Sequence, residues 1–209
     1  MKKIGLVIAS LLLLAGCSTA VFDQKTQLND AAQTILTQVS KKTTLMNELD
    51  ADAGAFPSTF EAAYNKDPNQ DFSSEGPVAA LISKREATYK KLETSQNKIE
   101  QANTTLTKIN AQGSKLPQQR LSDALNSLKL AHLDHKTFVT YYDELTTAET
   151  TFFKTVSNDP SDHKAVEAAL TRLMQYTSSL SQQAEIVSAN LETVTTETKS
   201  LQKAIAKLD

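Results

Sequence analysis

The sequence predicts an all-α protein, an elongated up-and-down four-helix bundle, with a three-helix rod as the alternative arrangement. Three observations carry this. Trp is absent and Gly numbers only 5 in 209 residues, which disfavours turn-rich sheets. Ala, Gln, Lys, Glu and Leu are abundant and favour helix. Most decisive is a seven-residue apolar repeat that persists through the C-terminal quarter of the chain. The formal net charge is −2, which is unlike a nucleic-acid-binding domain and argues against adhesion to anionic polymers by bulk charge.

The first segment is a leader. Lys2 and Lys3 precede an apolar run of eleven residues, Ile4 to Leu14. That run fits a signal-peptide core and falls short of the roughly 20 residues needed to span a bilayer. Leu14-Ala15-Gly16-Cys17 follows and resembles the lipobox of bacterial lipoproteins. The resemblance implies that residues 1–16 are a lipoprotein signal peptide and that the Cys17 thiol takes a diacylglycerol. Cys17 is the single cysteine of the chain, so no second thiol competes for it by disulfide formation. Residues 17–21 then read as a short lipid-anchored tether, and residues 22–209 as the bundle.

The first bundle helix carries Leu28, Ala32, Ile35, Val39, Met46 and Leu49. Residues 51–77 interrupt the pattern and are too long for a simple bundle turn. Ser58-Thr59-Phe60-Glu61 matches a capping box, which predicts a short helix from about Thr59 to Lys66. Asp67-Pro68-Asn69-Gln70-Asp71 reads as a turn. Phe56, Phe60, Tyr64 and Phe72 make this insertion aromatic. They are candidate partner contacts, or else they close the end of the bundle core.

The next helix starts after Gly76-Pro77 and stops at Gly113, with Leu81, Thr88, Leu92, Ser95, Ile99, Ala102, Leu106 and Ile109 on its seam. The third runs from about Gln118 to Ser157, with Leu121, Leu125, Leu128, Val139, Tyr142, Leu145, Phe152 and Val156 on or near its stripe. Asp159-Pro160 then reads as N-cap and first helical position of the last helix. Its interleaved sets run from Leu170 and Leu173 to Ile205 and Leu208. About 50 residues at ~1.5 Å each make a rod of roughly 75 Å. Short connections at 113–117 and 158–160 favour antiparallel neighbours.

A lipobox followed by four such helices resembles the YkyA-type family of cell-wall-binding lipoproteins of Gram-positive bacteria. The similarity is most evident in "FVTYYDELTTAETTFFKTV", residues 138–156. It implies a helical up-and-down bundle, anchored in the membrane and facing the wall, with a cell-wall or surface role. A hydrolase label attached to the family makes an envelope hydrolase the alternative to a non-enzymatic binding or structural module. Only Cys17 maps onto a functional family position, so no catalytic residue, metal or cofactor is expected.

Other constellations weigh little. His132 and His135 lie about one turn apart with Asp134 between, but His163 is far along the chain and no ligand set closes. Asp50, Asp52 and Glu61 fall at calcium-loop positions, yet the glycine is misplaced and Pro57 interrupts the loop. Nothing resembles a nucleophile elbow. The expected partners are the membrane, through the lipid on Cys17, and a cell-wall or envelope protein component, with no nucleic acid. The expected location is the outer face of the cell membrane.

Overall fold

Apolar residues spaced alternately three and four apart force each helix to turn one stripe inward, and the stripes meet along a single core. The computed structural model describes residues 16–112 and 116–208, with side chains from residue 24. Five helices result: α1 (Gly16–Gly54), α2 (Phe56–Lys66), α3 (Gly76–Ala111), α4 (Gln118–Asn158) and α5 (His163–Ile205). No strand occurs among the described residues. The long helices form a four-helix bundle in which α1–α3 and α4–α5 are the tightest pairs. α1 also packs on α5, while α3 meets α4 along the loosest seam and α2 lies against α3. At ~1.5 Å per residue, α3 alone spans about 54 Å.

Residues 1–15, which hold the leader up to the second lipobox position, lie outside the described residues, as does the side chain of Cys17. α1 begins at Gly16, so residues 18–21, expected as a tether, belong to its first turns. No helix among the described residues is long and apolar enough to cross a membrane.

Two further helix starts differ from the expectation. The insertion opens as a continuation of α1 rather than as a capped helix at Thr59. Ala55 N donates to Ala51 O and Thr59 N to Ala55 O, so helical bonding passes through the junction. Pro57 has no N–H to offer the Ala53 carbonyl, which locates the bend there. The capping box does not form. Ser58 and Thr59 both turn their hydroxyls back to Ala55 O.

α5 begins at His163, later than Asp159-Pro160 predicts. Asp162 is its N-cap, accepting from Ala165 N at 3.0 Å. Asp159 instead closes a turn onto the Ser161 backbone and hydroxyl. Gly76, the first residue of α3, has φ +75°, a left-handed backbone that a Cβ opposes.

Candidate functional site

The seam between α3 and α4 is loose because charged and aromatic side chains occupy heptad core positions there. On α3 the repeat runs Leu81, Arg85, Thr88, Leu92, and Arg85 is 1% exposed. On α4 it runs Leu128, Ala131, His135, Phe138, Tyr142, Leu145, Glu149, Phe152, all buried. On α1, Lys42 falls between Val39 and Met46 and is 0% exposed.

Arg85 and Glu149 form a bidentate pair, with Nη1 2.6 Å from Oε1 and Nη2 on Oε2. The guanidinium carbon lies 5.9 Å from the Tyr142 ring centroid. Tyr142 in turn stacks on Tyr89 with centroids 3.9 Å apart and planes 4° from parallel. Burial and the neighbouring carboxylates Glu93 and Asp143 push the Tyr89 phenol well above its ordinary range. At the outer edge, Lys84 Nζ donates to Asp52 Oδ1 at 2.7 Å. Asp52 thus joins an interhelical pair rather than a calcium loop.

One heptad further along, a hydrogen-bonded chain crosses three helices. Lys42 Nζ donates to Gln96 Oε1 at 2.5 Å, and Gln96 Nε2 donates to Glu100 Oε1 at 2.9 Å. His132 Nδ1 meets the same carboxylate oxygen at 2.9 Å. His135 Nε2 is 3.0 Å from Glu93 Oε1, although that oxygen has no partner in hydrogen-bonding alignment. Burial drives the Lys42 ammonium down to about 8, against the pull of Glu93, Glu100 and Asp134. Burial, then Lys42 and His132, lowers His135 to about 3, so its ring is neutral. Burial raises Glu93. The buried atoms Arg85 Nε, His135 Nδ1 and Tyr142 Oη find no hydrogen-bond partner among the described residues.

These groups hold helices in place and do not converge on a reacting centre. His132 and His135 pair with different glutamates, and no group of three His, Cys, Asp or Glu among the described residues is arranged to hold a metal. His163 sits at the other end, with Nδ1 3.1 Å from Tyr64 Oη. The Tyr64 hydroxyl donates to Pro160 O, which makes His163 the donor to Tyr64.

The aromatic insertion folds inward. Phe56, Phe60, Tyr64 and Phe72 are 2%, 1%, 9% and 3% exposed. Phe60 meets Phe152 edge-on at 4.7 Å and Phe72 at 5.1 Å, and stacks on Tyr64 at 5.4 Å. A partner cannot use rings that are sealed into the end of the core. Of the two roles expected of these rings, their burial fits core closure, because α2 carries the heptad onward and turns its apolar face into the bundle.

A groove of about 840 Å³ opens between α4 and α5. Thr147, Thr151 and Thr155 line one wall and Ala165, Ala168 and Ala169 the other. Each of these threonine hydroxyls donates to a carbonyl of its own helix. No histidine lines the groove, so no hydroxyl there has an imidazole base beside it. No protein-family model, curated protein or solved structure matches the chain.

Sequence reasoning missed Lys42, Arg85 and Glu149. The signal was present in the phase of the repeat. Stepping four then three from Leu81 to Thr88 lands on Arg85, and the same step from Leu145 to Phe152 lands on Glu149.

Proposed function

We propose that the protein is a lipid-anchored helical rod on the outer face of the cell membrane, acting as a non-enzymatic binding or structural module at the envelope. The observation that carries this reading is the leader ending in Leu14-Ala15-Gly16-Cys17. Two acyl chains on Cys17 would hold the chain stably where one would not, at about 0.8 kcal/mol per buried methylene. The resemblance to YkyA-type lipoproteins adds a role in contact with the cell wall.

The structure supports the non-enzymatic half of the reading by how it spends its chemistry. The buried side chains Lys42, Asp52, Arg85, Glu149 and His135 each meet a polar or charged group across a helix interface. The groove between α4 and α5 has Asp143 and Glu144 in its lining, but Thr147, Thr151 and Thr155 give their hydroxyl protons to carbonyls of their own helix. A rod of about 54 Å or more in reach suits display of a distal surface away from the bilayer. The test is Cys17→Ala in the native host. Loss of the protein from the membrane fraction, or accumulation of full-length precursor, is the expected result; a mature variant still in the membrane would overturn the reading.

A further inference from the structure

The two ends of the bundle differ in charge, and the sign of each follows the direction in which α1 runs. Three ties bring the first end together. Gln24 Nε2 donates to Gln112 Oε1 at 2.7 Å, Lys25 Nζ donates to Leu208 O, and Gln202 Nε2 donates to Gln33 Oε1 at 3.2 Å. The start of α1, the end of α3 and the end of α5 are therefore level, and the start of α4 lies beyond the His132–Glu100 pair on the same side.

Across residues 24–34, 102–112, 116–127 and 198–208, basic side chains outnumber carboxylates six to two. The six are Lys25, Lys108, Arg120, Lys199, Lys203 and Lys207, against Asp30 and Asp123. Asp23, Lys115, Glu197 and Asp209, the charged neighbours in sequence, lower that balance by two charges and leave it positive. Lys108, Lys199, Lys203 and Lys207 are exposed and carry no ion pair among the described residues. Lys199, Lys203 and Lys207 recur every four residues and form a short basic stripe that runs from the end of α5 into the turn after it. At the opposite end, residues 44–86 and 148–173 hold twelve carboxylates against six basic side chains.

We propose that the end formed by Lys25, Lys108, Arg120 and the Lys199–Lys203–Lys207 stripe is a docking face for an anionic lipid bilayer. The reasons are charge complementarity and position. α1 enters the bundle at this end, and Cys17 lies eight residues before Lys25, or about 12 Å of helix. That is comparable with the Debye length of roughly 8–10 Å at physiological salt, within which a basic side chain still senses the surface potential. The acidic far end is repelled by the same surface, so both ends orient the rod upright. The inference rests on the proposed anchoring at Cys17 for its biological setting, but its test does not depend on the lipid.

The test uses the chain from residue 17 with Cys17→Ser, which keeps every core residue from Leu28 to Ile205. Co-sedimentation is measured with phosphatidylcholine vesicles, alone and containing about 30% phosphatidylglycerol, a mixture with a negative surface potential. Binding to the anionic vesicles only, lost at high salt, is expected. Lys199→Glu/Lys203→Glu/Lys207→Glu should weaken it by at least about fivefold, the effect of one lysine near the surface, since Lys207 lies level with Lys25 and the other two lie higher on the rod. Lys66→Glu/Lys154→Glu/Lys164→Glu makes the same change in net charge at the far end and should leave binding unaltered. Circular dichroism confirms that both variants retain their helix.

Equal binding to both vesicle types, or equal losses from the two triple variants, would overturn the proposal. So would binding to soluble inorganic polyphosphate with no binding to anionic vesicles, which would assign the face to a soluble polyanion. Because the probe carries no acyl chain, failure here leaves anchoring through Cys17 standing. Failure of that anchoring likewise leaves this result intact.

Discussion

Arg85 on α3 and Glu149 on α4 face each other as a bidentate ion pair with side chains 1% and 6% exposed. A slip of one heptad along this seam would leave both charges buried without a partner, so the pair sets the register of the least closely packed helix pair. Removing one partner should be far worse than removing both. Glu149→Leu or Arg85→Leu alone is expected to cost about 3–5 kcal/mol. The double variant Arg85→Leu/Glu149→Leu should recover most of that loss or exceed the parent. Urea midpoints for the three variants give the coupling directly, and additive losses would refute the pairing.

Lys42 gives a prediction at alkaline pH. Its folded-state pKa, lowered to about 8 by burial, lies below the ordinary value of 10.5. Below pH 8 the ammonium is charged in both states and the full burial cost is present. Between pH 8 and 10.5 the unfolded chain binds more protons than the folded one, so stability rises with pH across that window. Lys42→Met should raise stability at pH 7 by up to about 3 kcal/mol, the free energy of the shift, less whatever Gln96 loses as its partner. The variant should also lose the alkaline rise. Denaturant midpoints at pH 7 and about pH 10 test both.

His135 acts at the acid end, with a consequence of the same sign. Its ring stays neutral in the fold down to about 3, while the unfolded histidine gains a proton near 6.5. The unfolded state therefore takes up more protons between those values, and stability falls as pH drops through the window. His135→Leu should flatten that part of the pH profile. A profile as steep as that of the parent would show that another group controls it.

The aromatic end is predicted to be structural. Phe60 touches Phe56, Tyr64, Phe72 and Phe152, so Phe60→Ala should cost about 3–5 kcal/mol. Replacing residues 55–72 with a Gly-Ser linker should lower the thermal midpoint sharply. An unchanged midpoint would return these rings to the role of surface contacts.

Most of the fold was legible because a seven-residue repeat leaves little freedom. Leu170, Leu173, Leu180, Val187, Leu191 and Leu201 are all buried where the repeat puts them. The misses share one cause. A pattern built from apolar residues passes over positions where a charged side chain occupies a core site, and Lys42, Arg85 and Glu149 are such positions. His135 was noticed for its chemistry, yet its fate was decided by its phase in the heptad. Helix starts were misplaced where a local signal competed with hydrogen bonding already in progress. The Ser58-Thr59-Phe60-Glu61 box could not form because the α1 ladder runs through Ala55 into Thr59. Phe138 was passed over for its neighbour Val139, since both are apolar and the step of three from His135 was not taken.

The most direct test of the central claim is the mass of the N-terminal peptide of the protein purified from membranes of its native host. The expected peptide begins at Cys17 and carries a diacylglyceryl thioether on that sulfur. A chain that retains residues 1–16 with an unmodified Cys17 thiol would contradict it.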